Sequence, residues 1–382
     1  MQLRYQFRLY PTPGQQRSLA RAFGCARTVF NDALRARQEA HGAGLSYIKD
    51  TDLQKQVITA AKRTAERSWL TEVSSVVLIQ ALSDLNTAYR NFFASVSGER
   101  KGRKVAPPRF RSRKDRRQAI RFTRNGFRLR PNGRLKLAKV GDVRVRWSRD
   151  LPSEPSSVTV IKDAAGRYFA SFVVEITDGP LPEAAAEVGI DLGLTHFAVT
   201  SDGRKITSPK FLRRAERRLR KAQQALSRKQ KGSKNRRKAV ARVARLHARV
   251  ADARRDHHHK LSTRLIRDNQ AVYVEDLAVN GLARTRLAKS VHDAGWSQFV
   301  TMLEYKAARY GRTFARVDRW FPSSKLCRAC GTVARAMPLD VREWACPCGA
   351  VHDRDINAAN NILAAGRADR LNACGGTVSP PA

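Results

Sequence analysis

The chain has 382 residues and carries 74 Lys and Arg against 33 Asp and Glu, a formal net charge of +41. Hydrophobic residues make up 42% of the chain, which supports folded domains and excludes a disordered polycation. Such an excess of positive charge repels itself unless a polyanion neutralises it, so the composition indicates a nucleic-acid partner.

A role at a membrane is the competing interpretation of this charge, and the sequence gives it little support. No apolar run of about 18 residues is present, and no basic amphipathic anchor stands beside a lipidation motif. The start, MQLRYQFRLYPTP, lacks the pattern of a signal peptide. We therefore expect a cytoplasmic protein in a reducing compartment, with no membrane partner.

Residues 1–182 predict a small β-barrel or sandwich with a helical insertion at about 12–96. Residues 3–10 alternate between apolar and polar side chains and predict a first strand. Helices are predicted from Thr12-Pro13 onward, at 51–66 and at about 74–95. Short strands separated by tight turns follow at 118–123, 127–130, 134–137, 142–147, 157–162 and 167–176.

Two segments concentrate the positive charge. Residues 97–117 are basic and irregular, which suits either a solvated linker or a segment bound to a phosphate backbone. Residues 212–260 carry 19 Lys or Arg against three acids, and Leu recurs there every seven residues. This pattern predicts a basic helical hairpin at about 208–265, either a coiled-coil spacer or a nucleic-acid contact. His257, His258 and His259 are consecutive on a helix, so we expect them to be structural.

Three acids stand where predicted buried structure ends or begins: Asp191 in GIDLGL, Glu275 in VYVED and Asp355 in HDRDINAA. Each has an ordinary explanation alone, since an acid at a helix start is usually an N-cap. Together they predict a site, because buried carboxylates are costly unless they are paired or metal-bound. Three of them can hold two divalent ions that promote phosphodiester hydrolysis, and oxygen ligands favour Mg²⁺ or Mn²⁺. We expect Gly189 and Gly193, which flank Asp191, to let the backbone and the scissile phosphate approach closely.

Four of the six cysteines lie within 22 residues, and this spacing predicts a structural zinc site. The proposed ligands are Cys327, Cys330, Cys346 and Cys348. The second pair is C-x-C and is therefore tight, so His352 or a water could complete the shell, or the affinity for zinc could be reduced. Cys25 lies on an apolar helix face and is expected to be a buried hydrophobic residue.

The order of strand with Asp191, hairpin strand, helices, strand with Glu275 and helix with Asp355 matches an RNase H-like fold. Over nearly its whole length the chain resembles the TnpB/OrfB proteins of bacterial insertion sequences, which are related to the type V CRISPR effector nucleases. The resemblance rests on YQFRLYPTPGQQ, FGCARTVFNDAL, PPRFRSRK, QAIRF, GIDLGL, VEDL and SSKLCRACG…WACPCGAVHDRDINAANNI.

The resemblance implies a multidomain α+β protein whose N-terminal β-barrel precedes a RuvC-like α/β nuclease domain at 183–320 and 351–370. A zinc ribbon at 321–350 and a flexible tail at 371–382 complete this organisation. It also implies that Asp191, Glu275 and Asp355 are catalytic, in preference to Asp276 and Asp353. The family usually has C-x₂-C where this chain has Cys346-Pro347-Cys348.

The implied function is Mg²⁺-dependent, RNA-guided cleavage of double-stranded DNA that carries a short flanking motif. The partners would be a guide RNA and target DNA, bound by a monomer that associates with the bacterial nucleoid. Three alternatives remain open: a catalytically silent RNA-guided repressor, a transposase that joins DNA strands, and a nucleic-acid chaperone. The chaperone leaves the acids and cysteines without a role.

Overall fold

The computed structural model describes residues 1–177, 179–338 and 340–373. The chain divides into two compact units, Met1–Thr177 and Asp178–Ala382, and each is considered by itself. From residue 374 onward, the tail that we expected to be flexible lies outside the described residues.

The first unit contains a seven-stranded antiparallel sheet. Its strands are β1 (Gln2–Tyr10), β2 (Gln118–Thr123), β3 (Phe127–Leu129), β4 (Arg134–Leu137), β5 (Gly141–Arg146), β6 (Ser157–Lys162) and β7 (Tyr168–Glu175). They lie in the order β2-β6-β7-β1-β5-β4-β3. The predicted first strand is therefore in the middle of the sheet, where it pairs with β5 and β7. Alternate residues such as Phe7 and Leu9 are buried in the core of this unit, as the period-two pattern predicts.

Helices pack on this sheet through the same apolar core. They are α1 (Pro13–Gly42), α2 (Asp50–Gln54) and α3 (Ser75–Val96). Thr12 caps α1 as predicted: its hydroxyl accepts from the backbone N–H of Gln15, and the Gln15 side chain accepts from the N–H of Thr12. The predicted helix at 51–66 is observed over residues 50–63 but changes its type: α2 continues as a π-helix at Lys55–Ala60 and a 3₁₀ helix at Ala61–Arg63. Consecutive β-branched residues from Val57 to Thr59 disfavour an α-helix there.

The basic segment 97–117 has no helix or strand, as expected, but it is not a freely solvated linker. Asn31 of α1 exchanges two hydrogen bonds with the backbone of Arg111, at 2.8 and 3.0 Å. The guanidinium of Arg111 also lies 3.8 Å above the ring of Phe30 and pairs with Asp84 of α3 at 3.2 Å. One point of the segment is therefore anchored to both long helices.

The second unit contains a five-stranded mixed sheet. Its strands are β8 (Glu187–Asp191), β9 (His196–Thr200), β10 (Lys205–Thr207), β11 (Ala271–Glu275) and β12 (Thr313–Val317), in the order β10-β9-β8-β11-β12. The strands β8, β11 and β12 are parallel to one another, whereas β9 and β10 are antiparallel hairpin strands. Buried apolar runs in β8 and β11 reflect a sheet that is covered on both faces.

Helices cover both faces of this sheet. They are α4 (Phe211–Ser227), α5 (Lys234–Asp268), α6 (Val279–Leu282), α7 (Ala288–Ala294), α8 (Trp296–Tyr310) and α9 (Arg354–Ala373). Val272 and Val274 of β11 share a core with α5 and α8, whereas Ala271 and Tyr273 face Ile362 of α9. A small hairpin of β13 (Glu343–Ala345) and β14 (Val351–Asp353) leads directly into α9.

The helices α4 and α5 pack against each other, so the basic region forms the hairpin that the apolar spacing predicts. Leu219, Ala222 and Val250 are buried, and most of the surrounding side chains are exposed. His258 is also structural, as predicted. Its ring is buried against Phe197, and its Nε2 donates to a backbone carbonyl at 3.0 Å.

Candidate active site

A cavity of about 650 Å³ lies at the carboxyl ends of β8 and β11. Asp191 is the last residue of β8, Glu275 is the last residue of β11, and Asp355 is in the first turn of α9. All three line the cavity. Since β8 and β11 are adjacent and parallel, their carboxyl ends meet at one edge of the sheet, which is where α/β folds place ligands.

The electrostatics of the cavity favour a bound cation. Burial, and then the neighbouring charges of Asp355 and Glu275, raise the pKa of Asp191 to about 7. Burial, followed by the charge of Asp276, also raises the pKa of Glu275. Within the described residues, neither Asp191 nor Glu275 has an ion-pair partner, so a divalent cation would relieve the cost of keeping both ionised.

Asp355 is the acid of the three that has positively charged or basic neighbours. The guanidinium Nη1 of Arg342 lies 3.5 Å from Oδ1, and Nδ1 of His196 lies 3.8 Å from Oδ2. Arg342 also donates to the hydroxyl of Thr195 at 3.1 Å, in the turn between β8 and β9. Sequence analysis assigned no role to Arg342 or His196, because nothing in their local pattern indicates that they reach Asp355.

The structure distinguishes the three acids from their nearest acidic neighbours. Asp353 caps α9: its Oδ1 accepts from the N–H groups of Asp355 and Ile356 at 3.1 and 3.0 Å, and Lys205 pairs with its other oxygen at 2.5 Å. Asp355 is therefore not the cap, and its carboxylate faces the cavity. Asp276 pairs with Arg319 instead of lining the cavity.

The expectation for Gly189 is confirmed for the close approach of backbone and wrong for the phosphate. A Cβ at this position would lie 2.1 Å from the carbonyl oxygen of Ala359 and 2.6 Å from the backbone nitrogen of Leu363. Gly189 is thus required for close packing of β8 against α9, and a substrate has no room there. Gly193 does line the cavity, so a role near the substrate remains a prediction for that glycine.

The donor set fits divalent metal ions in chemistry, since it consists of carboxylate oxygens at a buried edge. In the described part of the chain, however, these three acids do not form a compact ligand group of the kind that the cysteines form.

The predicted zinc ligands do meet. The sulfurs of Cys327, Cys330, Cys346 and Cys348 all lie within 4.8 Å of one another. The Cys327–Cys348 and Cys330–Cys346 sulfur distances are 3.8 and 3.6 Å. A tetrahedron with Zn–S bonds of about 2.3 Å has edges of about 3.8 Å, so the cluster is compatible with zinc despite the short C-x-C spacing.

His352 stands beside this cluster. Its Nε2 is 3.0 Å from the sulfur of Cys327, and its ring is buried against Trp344 with the ring centres 5.0 Å apart. At that distance His352 can donate a hydrogen bond to a Cys327 thiolate, which is a common supporting interaction around structural zinc. The alternative in which His352 itself binds the metal stays open.

No helix in the described residues has the length and apolar character needed to cross a lipid bilayer.

Comparison with known families gives three matches. Residues 171–286 match a model described as "Probable transposase" (OrfB_IS605), and residues 296–362 match the "Cas12f1-like, TNB domain". Residues 1–45 match a model described as "Helix-turn-helix domain", although here they form β1 and the single long helix α1.

Curated relatives extend the similarity over the whole chain. A protein of Streptomyces pristinaespiralis named "Putative RNA-guided DNA endonuclease" is 50% identical over 98% of this chain and 92% of its own length. The chain belongs to the TnpB/OrfB family. A second member, InsQ of Escherichia coli K12, bears the same description and is 31% identical over 97% of this chain and 93% of its own length.

The matches of this TnpB/OrfB chain include the proposed site residues. Asp191 and Glu275 lie in the transposase-model segment, and Asp355 and the four cysteines lie in the TNB-domain segment. Two solved structures share the fold. A Cas12f1–sgRNA–target DNA complex has a TM-score of 0.56 at 13% identity and covers 91% of this chain and 83% of its own. The mini-RNA-guided endonuclease CRISPR-Cas_phi3 has a TM-score of 0.52 at 10% identity, with coverages of 100% and 94%.

Proposed function

We propose that this chain is an RNA-guided endonuclease that hydrolyses phosphodiester bonds of target DNA, and that Asp191, Glu275 and Asp355 hold its catalytic metal ions. The observation that carries the proposal is that these three acids, from three separate elements, line one cavity. The printed names of the two curated relatives support the RNA guide and the DNA substrate.

Mg²⁺ or Mn²⁺ bound by these carboxylates would supply an activated water and would neutralise charge on the leaving oxygen. The chain itself contributes the arrangement of the acids and positive charge at the cavity. Lys325, Arg342 and Arg354 line the cavity together with the acids. These cationic side chains are suited to contact the phosphates on either side of the scissile bond. Because these side chains already have fixed positions in the fold, they can align the scissile bond with the three acids.

We assign a different function to each part of the chain. Residues 1–182 would form a β-barrel with a helical insertion, which binds the guide RNA and reads the short flanking motif of the DNA. Residues 183–320 and 351–370 would form the RuvC-like nuclease, with residues 321–350 as an inserted zinc ribbon. The seven-stranded sheet of the first unit and the mixed sheet of the second unit support this assignment.

The basic surfaces fit two polyanionic partners. The helices α4 and α5 expose positive charge along most of their length, and few acids are present to pair with it. The segment 97–117 adds a second basic surface in the first unit. We assign these surfaces to the backbones of guide RNA and DNA, bound by a monomer near the bacterial nucleoid.

The test is to purify the chain with its bound RNA, sequence that RNA, and assay cleavage of a matched DNA duplex in Mg²⁺. We expect Asp191→Ala to abolish cleavage while RNA and DNA binding persist. Asp340→Ala, which removes an exposed acid of the same unit, is the matched control and should cut normally.

The same assay separates the alternatives. A wild-type chain that binds its target without cutting would indicate a repressor, and joining of DNA strands would indicate a transposase. Cleavage by Asp191→Ala in Mg²⁺ would show that the metal site is misplaced. Random cellular fragments in place of a defined RNA would contradict the guided mechanism.

A further inference from the structure

Trp320 is the most exposed large hydrophobic side chain in the part of the chain that the structure describes, with 85% of its surface accessible. It also lines the cavity that contains Asp191, Glu275 and Asp355. An indole in water lacks the stabilisation that burial would give it, so a fully exposed Trp that lines a cavity is a candidate contact for a ligand.

The backbone that carries Trp320 is well anchored. Its N–H donates to the carboxylate of Asp318 at 2.7 Å, directly after β12, and the N–H of Phe321 donates to the carbonyl of Asp318 at 3.1 Å. Arg319 on one side is paired with Asp276, and Phe321 on the other side packs on the core beneath α9. The indole is therefore held out at the cavity by a structured turn.

The residues around this turn indicate what kind of ligand could cover the indole. Lys325, Arg342 and Arg354 line the same cavity and are suited to phosphate groups. A flat aromatic face beside cationic side chains is the combination with which proteins hold single-stranded nucleic acid, because every base offers a stacking face. An apolar protein partner would have to bury the charges of side chains such as Lys325, Arg342 and Arg354, whereas a nucleic acid would pair with them.

We propose that Trp320 stacks on a nucleobase of the DNA strand that enters the cavity, and thereby positions the adjacent phosphodiester at the three acids. This inference rests on the proposed nuclease function and adds a positioning residue to it. Trp320 takes no part in the bond-breaking step. It fixes the register of the strand, so its loss should disturb where the strand is cut as well as how tightly it is held.

The test uses the full-length chain and single-stranded DNA oligonucleotides that carry the fluorescent base 2-aminopurine at successive positions, without added Mg²⁺ or Mn²⁺ so that no cleavage occurs. Stacking on an indole quenches this base. We expect Trp320→Ala to relieve the quenching and to weaken binding of the strand in the cavity by about 5- to 150-fold, the range of one base-stacking contact. Trp320→Phe should retain much of both effects.

Val351→Ala is the matched control, since Val351 is an exposed apolar residue of the same unit that does not line the cavity, and it should leave the quenching unchanged. In Mg²⁺, Trp320→Ala should spread the cleavage over neighbouring positions, whereas Val351→Ala should keep the wild-type pattern. A folding defect is separated from loss of stacking by the thermal midpoint, which should be the same in Trp320→Ala and Trp320→Phe.

Equal quenching by the wild-type chain and Trp320→Ala would overturn the inference, and so would unchanged cleavage positions in that variant. A protein or lipid partner as the true occupant would give these results. If quenching depends on Trp320 but the wild-type chain does not cut DNA, the nuclease function fails and the base contact stands. Normal cutting with quenching independent of Trp320 would reject the base contact alone.

Discussion

Gly189 of β8 and Ala359 of α9 are so close that a Cβ on the glycine would lie 2.1 Å from the carbonyl oxygen of Ala359. Asp191 follows Gly189 by two residues, and Asp355 precedes Ala359 by four. The close approach of this strand and this helix therefore sets the separation of two acids of the candidate site.

Substitution Gly189→Ala should push β8 and α9 apart. Overpacking of a tight core contact costs about 1–3 kcal/mol of the free energy of unfolding, so the thermal midpoint should fall by several degrees. Cleavage should decrease as well, because Asp191 and Asp355 would be displaced. Gly281→Ala is the control, since a Cβ there meets nothing within 4 Å. Equal midpoints for the two variants would contradict the packing argument.

The two acids at the start of α9 should give opposite phenotypes. Asp353→Ala removes the N-cap and the partner of Lys205, which should cost about 0.5–2 kcal/mol of stability while part of the cleavage activity remains. Asp355→Asn should leave the thermal midpoint close to that of the wild type and abolish cleavage. Denaturant unfolding and DNA cleavage measured on both variants check this, and the reverse assignment of phenotypes would reject Asp355 as the catalytic acid.

His258 should make the stability of the chain depend on pH. Burial, helped by the nearby cations Arg254, His257 and His259, lowers its pKa to about 4 from an ordinary value of 6.5. The unfolded chain therefore binds a proton before the folded chain does. The free energy of unfolding should decrease as pH falls from about 6.5 to about 4, by up to about 3 kcal/mol, and this contribution should change little below pH 4.

His258→Gln should flatten this part of the pH profile, measured by urea unfolding at a series of pH values. His41→Gln, at an exposed position of α1, is the control and should keep the wild-type slope. If the profiles of wild type and His258→Gln run parallel, then His258 does not carry the dependence.

Zinc content should distinguish the roles of the cysteines and His352. If the four cysteines are the ligands, Cys348→Ser should lose the metal and destabilise the chain. His352→Gln should retain one zinc per chain but bind it about 10- to 100-fold more weakly, through loss of the hydrogen bond to Cys327. Metal analysis and competition with a chelator check this. Complete loss of zinc from His352→Gln would identify His352 as a ligand.

Local pattern was enough to predict most strands of the first unit. The predicted strand at 142–147 is observed at Gly141–Arg146, and that at 157–162 is observed unchanged. These strands alternate in polarity and are bounded by turn residues, so neighbouring residues determine them. The helix expected at 51–66 is present over residues 50–63, but it changes from α to π after Gln54, and an apolar spacing alone does not reveal such a change.

The site could be predicted only in part, because some of its features depend on contacts that the local sequence does not determine. Asp191 and Glu275 end apolar strands, which is a signal in the sequence itself. The structural role of Gly189 depends on its packing against α9, which lies more than 160 residues later in the chain. The exposure of Trp320 likewise depends on a turn whose hydrogen bonds no spacing rule predicts.

The helix α9 follows all five strands of the second sheet in the chain, so the ribosome synthesises it after them. This helix packs on β8, β9, β11 and β12, and it brings the last of the three acids. A growing polypeptide on the ribosome holds Asp191 and Glu275 long before Asp355 has emerged. The proposed DNA-cutting centre would therefore stay incomplete in prematurely terminated chains, and translation errors would produce inert fragments.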